Sequence, residues 1–163
     1  MLDTLTVALL WFAALGCALI GGLYFAFSAF IMRAFASIDP SAGIAAMNAI
    51  NRVILRSLFM PLFWATTLAA LALAGLALTR GGPGAGAMLA GGTLYLVGMF
   101  VCTVVFNVPL NNALQAAQGA GEAALPVWQR YLRQWTRWNH VRTVASLGAA
   151  ALFVWVLSIH TAY

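Results

Sequence analysis

Acidic side chains are nearly missing from this 163-residue chain, which holds three Asp and Glu against eight arginines and has no lysine. Histidine and cysteine are as scarce, with two of each. A zinc or di-iron centre needs three or four ligands gathered in one place. Asp3, Asp39 and Glu122 are scattered along the chain, and His140 and His160 would stand about 30 Å apart on one helix. No metal is therefore expected. Cys17 and Cys102 show no CxxC spacing and read as small apolar packing residues. Flavin and nicotinamide fingerprints are missing as well, because the glycines of "RGGPGAG" make a turn instead of a strand-to-helix phosphate loop.

Charged residues of both signs amount to 7% while 64% are hydrophobic, and the mean hydropathy is +0.95. That composition excludes a soluble globular domain. A membrane span needs about 20 apolar residues to cross roughly 30 Å of hydrocarbon, and four runs qualify: residues 4–33, 57–79, 85–108 and 143–161. A signal peptide is the competing reading of the first run, with "AFA" at Ala34 to Ala36 as its cleavage site. Asp3 in place of a basic n-region, and an apolar stretch about twice the usual h-region, argue against it. The absence of charge within the spans also argues against coupled transport.

The link "TRGGPGAG" between the second and third spans is a tight Gly/Pro turn, which makes them antiparallel neighbours. The other two links can each hold an amphipathic helix lying at the membrane surface, over about 41–55 and 123–140. Ser41 is the expected N-cap of the first, which places Met47, Ile50 and Ile54 on one face and Asn48, Arg52 and Arg56 on another. In the second, Trp128, Tyr131, Trp135 and Trp138 form an aromatic stripe beside Arg130, Arg133 and Arg137. Trp128 and Tyr131 read as an interfacial belt, and the arginines as a topology signal that meets lipid phosphate. The expected fold is all-α, an integral membrane four-helix bundle with two interfacial amphipathic helices, forming a single membrane domain over 1–163. Ala14, Ala18, Gly22 and Ala26 predict a close-packing seam on the first span, and Gly91, Gly92 and Gly98 a second one on the third. Oligomerisation is left open.

Both long links fall on one side of an even-spanning topology, and they hold every arginine but Arg80. The positive-inside rule puts that side in the cytoplasm and both termini outside. The lysine-free, alanine-rich composition points to a bacterial inner membrane. The lipid bilayer is thus the first expected partner. Nucleic acid is not expected, because these charges flank spans instead of forming a basic face.

One group of residues is not explained by anchoring. Asn107, Asn111 and Asn112 in "NVPLNN", Asn48 and Asn51 in "MNAIN", and Asn139, His140 and Arg142 in "WNHVR" all converge at the same membrane edge. Pro109 withholds a backbone donor from the Val105 carbonyl, which an asparagine side chain is suited to satisfy. Each unpaired amide there costs a few kcal/mol, so the cluster is either a closed polar network or a binding site. Ser28 in "YFAFSAF" is expected to bond its own i−4 carbonyl, though it lies near enough to join the site.

The pieces "GGLYFAFSAFIMRAF", "GIAAMNAIN", "TVVFNVPLNNAL" and "WQRYLRQWTRWNHVRT" resemble, in that order, the signature of a small four-span membrane family that includes the fungal anthrone oxygenases. The similarity covers about 21–143, and "NVPLNN" and W-x-x-W-N-H-x-R are its specific parts. It implies a membrane oxidoreductase that oxidises an apolar, polycyclic phenolic, anthrone-like or quinol-like small molecule with O2 and without a conventional cofactor. It further implies roles for the cluster. His140 would act as the base, Asn139, Arg142, Asn107 and Asn111 would stabilise an oxyanion, and Trp135 and Trp138 would stack on the rings, with Asn112, Asn51, Asn48 and Ser28 completing the substrate site. A haem with His140 as single axial ligand is the runner-up cofactor. A carrier for a ring compound or quinone, and a structural subunit, are the alternatives to an enzyme.

Overall fold

The computed structural model describes residues 3–161. Helix α1 spans Thr4–Ala36, α2 Pro40–Ile54, α3 Phe59–Arg80 and α4 Ala85–Ala116. A 3-10 turn at Gly121–Ala124 then leads into α5, Leu125–Thr161. No strand occurs among the described residues. Four of the helices, α1, α3, α4 and α5, are long and apolar enough to cross a membrane.

Their lengths are unequal. Helix α3 has 22 residues, about 33 Å of rise, which matches the bilayer. Helices α1, α4 and α5 have 33, 32 and 37, about 50 Å each, and therefore continue past the hydrocarbon at one end. The segment expected as a second interfacial helix is the first part of α5, continuous with the fourth span. Likewise Pro109 does not end α4, which runs on to Ala116. Two widened π-turns, Leu96–Val101 and Thr103–Asn107, precede the proline, and the altered ladder accommodates its missing N–H.

At the opposite membrane end, Asp3 caps α1 by accepting from the Thr6 amide at 2.8 Å and the Thr6 hydroxyl at 2.9 Å, and it pairs with Arg80 at the end of α3. The Thr6 amide, then its hydroxyl, then Arg80 hold the exposed Asp3 carboxyl down at about 2. Gly81, Gly82 and Gly84 take positive φ in the tight turn that follows, as such a short reversal needs. Helix α2 is capped by Asp39, whose carboxylate accepts from the Ser41 amide at 3.1 Å, so the cap lies two residues before the expected Ser41.

Two cores result. In the membrane layer α1, α3, α4 and α5 pack around Leu10, Cys17, Leu73, Tyr95 and Phe153. Where the three long helices emerge, α3 is absent and α2 takes its place, packing with them around Met47, Leu114, Trp128, Tyr131 and Trp135. Trp128 and Tyr131 are thus buried core and not a lipid-facing belt, while Arg130, Arg133 and Arg137 are exposed. Asn48 is buried too, on the Met47 side of α2, and does not share an outer face with Arg52.

Close approaches between helices fall partly where the small residues predict. On α4 a Cβ added to Gly92 would lie 2.6 Å from the Ala70 carbonyl oxygen, and one on Gly98 would lie 2.5 Å from the Ala145 Cβ. On α1 the seam is displaced: Gly22 has nothing within 4 Å, and Gly16 and Gly21 make the close approaches, to Thr66 and to Leu147. A strict i+4 series drifts around a helix of 3.6 residues per turn, so Gly22 rotates away from the face set by Leu10, Cys17 and Ile20.

Candidate functional site

The site lies where the two cores meet. Helix α3 begins at Phe59 and α2 ends at Ile54, and the short link between them leaves a gap beside α1, α4 and α5. A cavity of about 340 Å³ occupies it. Phe59, Phe63, Trp64 and Phe100 form one apolar wall, with Phe63 and Trp64 both packed on Phe100 at 5.8 and 5.6 Å between ring centroids. Leu23, Tyr24, Phe27 and Trp135 form another. Polar groups enter from three helices: Asn48, Asn51 and Arg52 from α2, Thr103, Asn111, Asn112 and Gln115 from α4, and Arg142 from α5.

Arg142 dominates the electrostatics. It is 4% exposed, yet none of the three acidic residues lines the cavity. Its guanidinium lies over the Tyr24 ring at 4.2 Å and the Trp135 ring at 5.0 Å, so two aromatic faces partly replace water. It donates from Nη2 to Asn139 Oδ1 at 2.7 Å and from Nη1 to the Thr103 hydroxyl at 3.5 Å, and Nε has no hydrogen-bond partner. Among the described residues the one ion pair is Arg80 with Asp3, at the other end of the bundle. A buried cation with no anion is an uncompensated charge whose desolvation costs several kcal/mol.

Asn139 positions that arginine. Its amide nitrogen donates to the Tyr24 carbonyl at 2.7 Å and to the Ser28 hydroxyl at 2.8 Å, which locks α5 against α1. The widened turn Phe27–Ile31 of α1 lies beside this contact. Ser28 thus does not bond its own i−4 carbonyl, which accepts from Asn139, and its hydroxyl stands 3.3 Å from that of Thr143. Asn107 makes the corresponding tie from α4, donating to the Trp135 carbonyl at 3.3 Å. Asn111 accepts from the buried Tyr131 hydroxyl at 2.8 Å. Asn48 Nδ2 donates to Gln118 Oε1 at 3.0 Å and to the Leu114 carbonyl at 3.4 Å. Asn48, Asn107, Asn111 and Asn139 therefore pair with carbonyls and side chains of neighbouring helices, whereas the buried Asn51 Nδ2 has no hydrogen-bond partner.

The expected site residues accordingly separate. Arg142, Asn48, Asn51, Asn111, Asn112 and Trp135 are brought to the cavity. Asn107, Asn139 and Ser28 lie behind its wall as supports. Trp138 stacks on Phe106 at 3.7 Å, away from the lining. His140 does not join the cluster: it is exposed, because residues 135, 139, 142 and 146 share the inward face of α5 and 140 is turned about 100° from it. It is not among the residues that line the cavity. The side chain of His160 lies outside the described residues. No group of three metal-ligating side chains occurs among the described residues. Phe59, Phe63, Trp64, Phe100 and Thr103 are lining residues that the sequence reading missed. Their aromatic spacing resembles ordinary span composition, and only the start of α3 below α2 turns them into a wall.

These features define a class, the helical protein with four helices long and apolar enough to span a membrane and a cavity where α2 takes the place of α3. Residues 52–152 match the anthrone oxygenase family, and the chain belongs to it. Comparisons with curated proteins and with solved structures find no match.

Proposed function

We propose that the cavity binds a flat phenolic ring compound as its oxyanion and presents it to O2, as an anthrone oxygenase-like oxidoreductase. The observation that carries this reading is Arg142, a buried guanidinium beside apolar walls with no carboxylate to balance it. An enolate or phenolate oxygen supplies the missing charge. Asn48 Oδ1 and Trp135 Nε1 are further buried atoms without partners on residues of the same cavity, one an acceptor and one a donor. The volume lies at the lower end of the roughly 300–1,000 Å³ of small-molecule sites, enough for one fused-ring ligand.

The chemistry needs little from the protein beyond this. An anthrone CH2 loses one proton to give an anion delocalised onto the ring oxygen, which Arg142 stabilises. The anion passes one electron to O2, and the resulting carbon radical and superoxide combine into a C–O bond. The peroxide anion so formed takes up a proton from water, and the hydroperoxide then loses the second C–H proton and its outer oxygen as hydroxide, so the carbon becomes C=O and water leaves. One O2 is consumed for each anthraquinone and water formed. No carboxylate, histidine, lysine or cysteine lines the cavity, so the first proton goes to water, or the substrate arrives as its anion. This reading invokes no bound cofactor.

That same lack of a base favours a second reading, a carrier for an apolar ring compound or quinone. Oxygen uptake by the detergent-purified protein with emodin anthrone separates the two. The enzyme reading expects Arg142→Met to lose about 100-fold or more in rate, as for removal of an oxyanion partner. It expects the exposed His140→Ala to stay within about twofold of wild type. Wild-type uptake no faster than the uncatalysed rate, with binding retained, leaves the carrier; an Arg142→Met rate equal to wild type removes the oxyanion role.

A further inference from the structure

The mouth of the cavity has two unlike rims. Trp64, Val104 and Val108 line it as exposed apolar side chains on spanning helices, whereas Arg52, Asn112 and Gln115 line it as exposed polar ones. Val104 and Asn112 are separated by about 12 Å of rise along α4, so the apolar and polar rims lie at different depths. On a membrane span an exposed apolar side chain faces acyl chains, and arginine and asparagine mark the head-group zone. The mouth therefore runs from hydrocarbon depth to head-group depth on one flank of the bundle.

Helix packing opens that flank. Helices α3 and α4 approach closely where Gly92 meets Ala70, and touch again through the Trp64 and Phe63 rings on Phe100. Beyond Phe100 α4 loses α3 as a neighbour: α4 continues to Ala116, while α3 is at its own start and α2 has taken over. Trp64 is 50% exposed and also touches Phe100, so it borders both the cavity and the lipid.

We propose that the cavity loads its ligand sideways from the lipid leaflet, through the gap between α3 and α4, with Trp64 and Val104 as the apolar rim and Arg52 at the head-group edge. The proposal rests on the reading that the occupant is an apolar ring compound, and it adds the phase from which that compound comes. A planar ring dissolved among acyl chains passes between Trp64 and Val104 without crossing water. Its acidic oxygen stays level with Arg52 and Asn112 until it meets Arg142 inside.

The test follows emodin, an anthraquinone, onto the full-length protein in lipid nanodiscs by stopped-flow quenching of tryptophan fluorescence. Val104→Trp narrows the portal and is expected to slow association and dissociation together by about tenfold, leaving Kd nearly unchanged, as for a steric barrier. Trp64→Ala widens the portal and is expected to speed dissociation. Val97→Trp, on an exposed residue of α4 outside the cavity, is expected to leave both rates at the wild-type value. Wild-type rates in Val104→Trp overturn the portal, and slowing by Gln115→Trp alone assigns the path to water instead. A wild type that binds no emodin overturns the ring-compound reading and the portal with it, whereas binding with an unaltered Val104→Trp overturns the portal only.

Discussion

Arg142 and Asn139 form one unit, since the guanidinium is held by an asparagine that is itself fixed to the Tyr24 carbonyl and the Ser28 hydroxyl of α1. Removing the amide strands several buried polar groups at once. Asn139→Leu is expected to destabilise the bundle by about 2–4 kcal/mol, because each orphaned buried group costs about 1–3. The loss is read as a lower melting temperature in detergent, and an unchanged one would mean that Arg142 is held by other contacts. At this scale the sequence was partly legible. Asparagine and arginine at a span edge demand partners whatever the fold, so the cluster was visible. Which members face the cavity depended on rotation about α5, and a single step along the chain separates the buried Asn139 from the exposed His140.

Helix lengths and contacts act together at the next scale. Three long helices and one short one create the change of partner from α3 to α2, and the cavity occupies that change. The hairpin of α3 and α4 depends on Gly92, where an added methyl would meet backbone that cannot move aside cheaply. Gly92→Ala is expected to cost about 1–3 kcal/mol, in the range of overpacking, whereas Gly22→Ala, with open space around it, is expected to change stability by less than about 1. Thermal melts of the two variants side by side check the contrast, and equal losses would place Gly22 in a contact of its own. The small-residue pattern in the sequence identified α4 correctly and gave the wrong glycine on α1. A seam can be inferred from spacing, but the helix face that meets a neighbour is set by all the residues competing to be buried.

Across the whole molecule, charge is divided between the two membrane faces. Arg33, Arg52, Arg56, Arg130, Arg133 and Arg137 mark one end, and Arg80 with Asp3 marks the other. We expect the arginine-rich end in the cytoplasm, so a reporter fused after Tyr163 should read as extracytoplasmic. A cytoplasmic signal would reverse the orientation and move the cavity mouth to the other leaflet. The sequence by itself determined that the chain is all-helical with four helices long and apolar enough to span a membrane, because hydrocarbon thickness fixes the length and polarity of each span, and its residue motifs carry the match to the anthrone oxygenase family. Tertiary structure alone decided that Trp128 and Tyr131 are core, that His140 faces outward, and that Arg142 stands uncompensated beside an aromatic wall. Those outcomes depend on which helix faces meet and where α2 replaces α3, and one-dimensional hydropathy does not encode either.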